Sequence, residues 1–165
     1  MKGFIFFDVY GQTGFPLCNK LLEEGFSVYC PAFFDQLTAP ANKAEKLLFI
    51  GRNANFKQFT DDVEENNPSG YMYIFPCADW QQRSEEDQQL IKNFITRFFH
   101  DRQNGGRGFM IGADEKWEEF LEKLPAGKVD LTKIQSASAG RITKEIFKEM
   151  NHPEPGRYSR LCEKK

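Results

Sequence analysis

The sequence predicts a single α/β domain, a doubly wound and mostly parallel sheet with helices on both faces in three layers. Three observations predict it. Short strand-length apolar runs alternate with segments of helical periodicity, the strand-like runs are apolar on both sides, and glycine or proline marks most junctions. The 165 residues are 40% hydrophobic with seventeen Phe, enough to build a ring-filled core. Net charge is −2, which argues against a chain whose main task is coating nucleic acid. No apolar run reaches the roughly 20 residues a bilayer span needs. Met1–Phe7 is too short for a signal-peptide core, and the four cysteines show no C-x-x-C, so the expected setting is cytoplasmic with reduced thiols.

Gly3–Val9 reads as a strand buried on both faces and Tyr10–Gly14 as a turn. A helix follows, with Pro16 in its first turn, Leu17, Leu21 and Leu22 on one face, and Gly25 at its end. Ser27–Cys30 is the second strand, completing a βαβ unit. Lys46–Ile50 reads as a third strand stopped at Gly51, and Asn55–Glu65 as a helix carrying Phe56, Phe59 and Val63. Tyr71–Phe75 is a fourth strand ended by Pro76. Ser84 with Asp87 makes a capping box for the longest helix, whose Leu90, Ile91, Phe94, Ile95, Phe98 and Phe99 recur at helical spacing up to Gly105-Gly106. Gly108–Gly112 is the fifth strand, a helix starts near Glu115, Lys128–Ile134 is a sixth strand, and Thr143–Met150 a last helix. The domain thus covers residues 1–150. The Pro-, Gly- and charge-rich stretch 151–165 reads as a polar tail or docking arm.

The opening from Phe4 to Phe15, followed by Leu21-Leu22-Glu23-Glu24-Gly25-Phe26-Ser27-Val28, resembles the extended short-chain dehydrogenase/reductase family. That family begins with a strand, a G-x-x-G-x-x-G turn, a helix ending in an acid plus Gly, and a second strand; Gly11 and Gly14 match its second and third glycines. The resemblance implies a Rossmann-like fold and a cofactor crevice at the carboxyl ends of the strands, around Asp8, Tyr10, Gly11, Gln12, Thr13, Gly14 and Asn53. The departures are specific. Asp8 holds the first glycine position, where a carboxylate roughly 5 Å from a phosphate costs about 3 kcal/mol per unit charge at an effective dielectric of about 20. Tyr29-Cys30-Pro31-Ala32 offers no acid for the adenosine ribose, and Asp35 comes late. The family's Tyr-x-x-x-Lys, whose lysine prepares the phenol for proton transfer, is absent: residues four beyond the five tyrosines are Gly14, Phe33, Phe75, Cys77 and Cys162. Extended members also append a substrate-binding region, for which little chain remains.

Three aspartates fall at or just after strand ends: Asp8, Asp79 and Asp114. In a 3-2-1-4-5 sheet those strands adjoin, so the carboxylates converge in a magnesium-site reading. Phe6–Thr13 also resembles the D-x-D-G-T motif of haloacid-dehalogenase-type phosphatases, and Gly112-Ala113-Asp114 resembles their late metal-binding aspartate. That resemblance implies Asp8 as phosphate-accepting nucleophile, but Tyr10 replaces the acid/base aspartate and Gln12 is inserted before Thr13. The plainer role for Asp79 and Asp114 is helix capping. His100 suits a helix C-terminus, His152 lies in the polar tail, and Cys77 reads as an inert buried thiol. The Phe94/Phe98/Phe99 stripe packs on the sheet or in part forms a protein-partner or homodimer contact, and Arg97–Arg107 is a modest basic patch at a helix end.

The reading that follows is a degenerate Rossmann-like module with no catalytic residue and no expected cofactor, working in binding, regulation or partner docking. Two alternatives carry chemistry. One is an NAD(P)-dependent oxidoreductase or epimerase acting through Gly11, Gly14, Asn53 and Asp79; the other is a magnesium-dependent phosphatase using Asp8. No membrane and no nucleic-acid partner is expected.

Overall fold

The computed structural model describes residues 3–37, 42–59, 70–100, 106–124, 129–136 and 138–151. Six strands form one all-parallel sheet: β1 (Gly3–Phe6), β2 (Val28–Pro31), β3 (Phe56–Phe59), β4 (Tyr71–Phe75), β5 (Gly106–Ile111) and β6 (Val129–Ile134), in the order β3-β2-β1-β4-β5-β6. The order reverses direction at β1, as in a Rossmann-like three-layer α/β/α fold. β1 lies between β2 and β4 and is buried throughout, which is why its sequence shows no alternation.

The helices are α1 (Gly14–Glu23), α2 (Lys43–Gly51), the single turn α3 (Cys77–Trp80), α4 (Glu85–His100), α5 (Glu115–Glu122) and α6 (Ala139–Asn151), with a 3₁₀ turn at Ala32–Gln36. α1 packs beside α6, where Phe26 bridges Phe4 and Phe147. On the opposite face α4 presents Phe94, Phe98 and Phe99 to Phe7, Tyr73 and Phe75, and Trp80 meets Trp117 of α5. Phe7 touches six rings, those of Phe34, Tyr73, Phe75, Phe94, Phe98 and Phe99, and is the hub of this layer. All three rings of the α4 stripe are thus buried against their own sheet. Ser84 caps α4 as its spacing predicts, its hydroxyl accepting from the Asp87 N–H.

One expectation is overturned. Lys46–Ile50 lies in helix α2, not in a strand, and the third strand is Phe56–Phe59, within the segment expected to be helical. A five-residue apolar run does not by itself separate a buried strand from a helix. β3 is an edge strand whose exposed Lys57 and Gln58 sit between two Phe, giving an i, i+3 pattern that imitates a helix face. The rest of the expected helix, residues 60–65, lies outside the described residues, as do Arg102, Gly105, His152, Cys162 and the tail from residue 152. Among the described residues no helix is long and apolar enough to cross a membrane.

Candidate functional site

The carboxyl ends of β1 and β4 stand side by side at the point where strand order reverses, and the turn 7–13 leads from there into α1. Helix α1 has no acidic residue in its first turn, and the side chain of Thr13 at its N-cap makes no capping bond. Its free N–H groups are satisfied from elsewhere. The Thr13 N–H donates to Oδ1 of Asp79 at 2.8 Å and the Gly14 N–H donates to Oδ2 at 2.7 Å. Asp79 belongs to α3, just beyond β4, so one carboxylate bridges the two halves of the sheet and caps α1 with both oxygens. The helix dipole places about half a positive charge at this end, which favours the anion. Gly11 and Gly14 make room for it. A β-carbon on residue 11 would lie 2.3 Å from Cγ of Asp79, and one on residue 14 would lie 2.8 Å from the Asp8 carbonyl oxygen.

Asp8 does not face this position. Its backbone is left-handed (φ +72°) and its side chain is fully buried. Oδ2 accepts from Trp80 Nε1 at 3.0 Å and from Arg83 at 3.1 Å, and Oδ1 accepts from the Tyr10 N–H at 3.3 Å. Desolvation raises the Asp8 pKa, with Arg83 acting in the opposite sense. The carboxylate at the start of α1, expected from the sequence to be Asp8, is therefore Asp79. The positive φ turns Asp8 toward α3 and Arg83, which also meets Asp87 at 3.5 Å.

The neighbouring ground, above the ends of β1 to β3, is filled by a second polar group. The buried Tyr10 hydroxyl donates to Oδ1 of Asp35 at 2.7 Å. Gln58 Nε2 donates to the Tyr10 oxygen at 3.1 Å and to Oδ2 of Asp35 at 2.8 Å. Lys43 Nζ donates to the Asp35 carbonyl at 2.6 Å, and Lys46 Nζ to the Tyr10 carbonyl at 2.9 Å. Burial first, then Cys30 and Asp35, pushes the Tyr10 phenol up, so it stays protonated and donating.

Of the expected crevice residues, Asp8, Tyr10, Gly11, Gln12, Thr13 and Gly14 share the turn, with Gln12 exposed at its tip. Asn53 does not join them. Because α2 precedes it and β3 begins after it, Asn53 lies at the amino edge of the sheet, where its side chain accepts from the Asn55 N–H at 2.8 Å. Asp114 caps α5, accepting from the Trp117 N–H at 2.9 Å. Among the described residues no group of three or more His, Cys, Asp or Glu is placed to hold a metal ion. His100 ends α4 at the exposed amino edge, away from the glycine turn, and Arg107 pairs with Glu149 at 3.1 Å. Cys18, Cys30 and Cys77 are buried free thiols whose pKa values burial raises. One sequence signal pointed to Asp79 as the anchoring acid: it follows the strand adjoining β1 in the expected order. The Tyr10–Asp35–Gln58 group had none, because its members are brought together by the β1–β2–β3 order alone. The chain matches no family model, no curated protein and no solved structure.

Proposed function

We propose that this chain is a non-catalytic Rossmann-like module, of short-chain-dehydrogenase-like descent, that works by binding or docking a partner. One observation carries the reading: the Asp79 carboxylate holds both N–H donors at the start of α1. Those donors and the space above Gly11 are what a dinucleotide's pyrophosphate requires. Two charge-assisted hydrogen bonds, each worth roughly 1.5–3 kcal/mol, would be given up before a diphosphate could enter. The residues present do not fit the cofactor. The Tyr10–Asp35–Gln58 group supports the same reading, since its hydrogen-bonding groups serve one another rather than an open ribose site.

The test is thermal unfolding in the presence of NAD, NADP and their reduced forms. A ligand at a hundred times its Kd stabilises by about 2.7 kcal/mol. The expected result is an unchanged midpoint for all four. A clear shift overturns the reading in favour of a nicotinamide-dependent oxidoreductase with unusual residues. Magnesium-dependent phosphate release from a generic ester, lost in Asp8→Asn, overturns it in favour of a phosphatase.

A further inference from the structure

Helix α2 is built inside out. Its inward side carries Lys43 and Lys46, both bonded to backbone carbonyls of the polar group, together with half-buried Leu47 and buried Ile50. Its solvent side carries Ala44, Glu45, Leu48, Gly51 and Arg52, all exposed, with Leu48 at 67% and the flanking Phe49 at 57%. A surface helix ordinarily buries its apolar residues and exposes its lysines. Leu48 and Phe49 are two of the three large apolar side chains exposed among the described residues.

The charges on this face identify what covers it. Glu45 and Arg52 are seven residues apart, on the same flank of the helix, and symmetric about the midpoint between Leu48 and Phe49. At a rise of 1.5 Å per residue each stands about 5 Å along the axis from that midpoint. A second α2 laid antiparallel across a two-fold axis there puts Leu48 against Leu48 and Phe49 beside Phe49. Each Glu45 then faces the Arg52 of the other copy, so both ion pairs form at once. Ala44 and Gly51, small residues on the same face, let the two backbones approach. A surface complementary to itself in this way is the condition for an isologous dimer.

We propose that the exposed face of α2 is a homodimer contact, with a second copy of this chain packed antiparallel through Leu48, Glu45 and Arg52. It gives the docking reading above its partner. A single nine-residue helix covers less than the roughly 800 Å² per partner of a standard interface, so the dimer is a weak one.

Sedimentation equilibrium of the full chain, from micromolar to millimolar concentration, tests this independently of dinucleotide binding. The expected result is a reversible monomer–dimer equilibrium that Leu48→Ser abolishes while leaving the thermal midpoint of the monomer in place. Glu45→Arg and Arg52→Glu each weaken the dimer about tenfold, because two ion pairs become two repulsions. Mixing the two single variants restores association, since each chain then meets the opposite charge, and so does the double exchange within one chain. A monomer at every concentration overturns the proposal, as does a dimer indifferent to Leu48→Ser. Single variants that weaken association without recovery on mixing also overturn it. A monomeric chain whose Leu48 is needed for co-sedimentation with anionic phospholipid vesicles assigns the face to a membrane surface instead, and overturns it too.

Discussion

Gly11 and Asp79 fit only as a pair: a β-carbon at residue 11 would stand 2.3 Å from the Asp79 carboxyl carbon. The backbone at residue 11 does not have a positive φ, so alanine is excluded by the neighbouring side chain and not by the turn conformation. Gly11→Ala is expected to destabilise by roughly 1–3 kcal/mol. In an Asp79→Ala background the same change costs much less, and a double-mutant cycle by urea unfolding reads the difference as a coupling energy. Additive effects would show that the glycine is needed for another reason.

Asp79→Ala removes the side-chain cap at the N-terminus of α1 and is expected to cost roughly 2–3 kcal/mol. Inorganic phosphate then finds the two N–H groups open. Added phosphate should raise the midpoint of Asp79→Ala beyond the general effect it has on the unaltered protein, measured in parallel melts. Equal effects on both proteins would mean that the vacated position does not hold an anion.

The core around the glycine turn was legible in advance and the sheet edge was not. β1, α1 and β2 carry period and punctuation that agree, and Gly25, with φ +92°, ends α1 region as a C-terminal glycine should. At the edge, Lys46–Ile50 is apolar enough for a buried strand yet forms a helix with Leu48 and Phe49 in solvent. That exchange of helix for strand also carried Asn53 from the crevice to the opposite edge. The candidate site was legible as a segment, residues 8–14, while the roles inside it turned on a dihedral angle. Asp8 at φ +72° faces Arg83, leaving the helix end to an acid 66 residues from Thr13, a long-range pairing that local pattern does not encode.

Asp8 supplies a pH signature. Burial is the larger influence on its carboxyl and raises the pKa above the ordinary 3.8, against the pull of Arg83. The folded protein therefore keeps this proton to higher pH than the unfolded chain does. Its contribution to stability is complete below the unfolded pKa and declines as pH rises through the folded one. Urea unfolding at a series of pH values should show the stability of the unaltered protein, relative to Asp8→Asn, falling as pH rises from about 4 and then levelling. A relative stability that instead grows over this range would show Arg83 to dominate.

Cys18, Cys30 and Cys77 are buried, and desolvation holds all three as thiols at neutral pH. An aromatic disulfide reagent, followed by peptide mapping, should label none of them in the native protein within minutes and all three once urea unfolds it. Rapid native labelling of Cys77 would identify a reactive thiol beside Asp79 and Asp114.

Phe7→Ala removes the ring that touches six others and is expected to cost about 3–5 kcal/mol. Phe33, stacked on Phe94 at 4.5 Å near the rim of the same cluster, provides the comparison, and its alanine variant should cost less in the same unfolding assay.

The position of β1 also sets a timetable for the growing polypeptide. Gly3–Phe6 is made before the other five described strands of its sheet, yet one whole edge of it waits for Tyr71–Phe75, after α1, β2, α2 and β3 have been made. Until the ribosome has delivered those residues, an apolar strand with unpaired amide groups is exposed to other nascent chains. Closing so long a loop is slow, so a chaperone that holds the segment from β1 to β3 should raise the yield of native protein more than one acting after β4 has emerged.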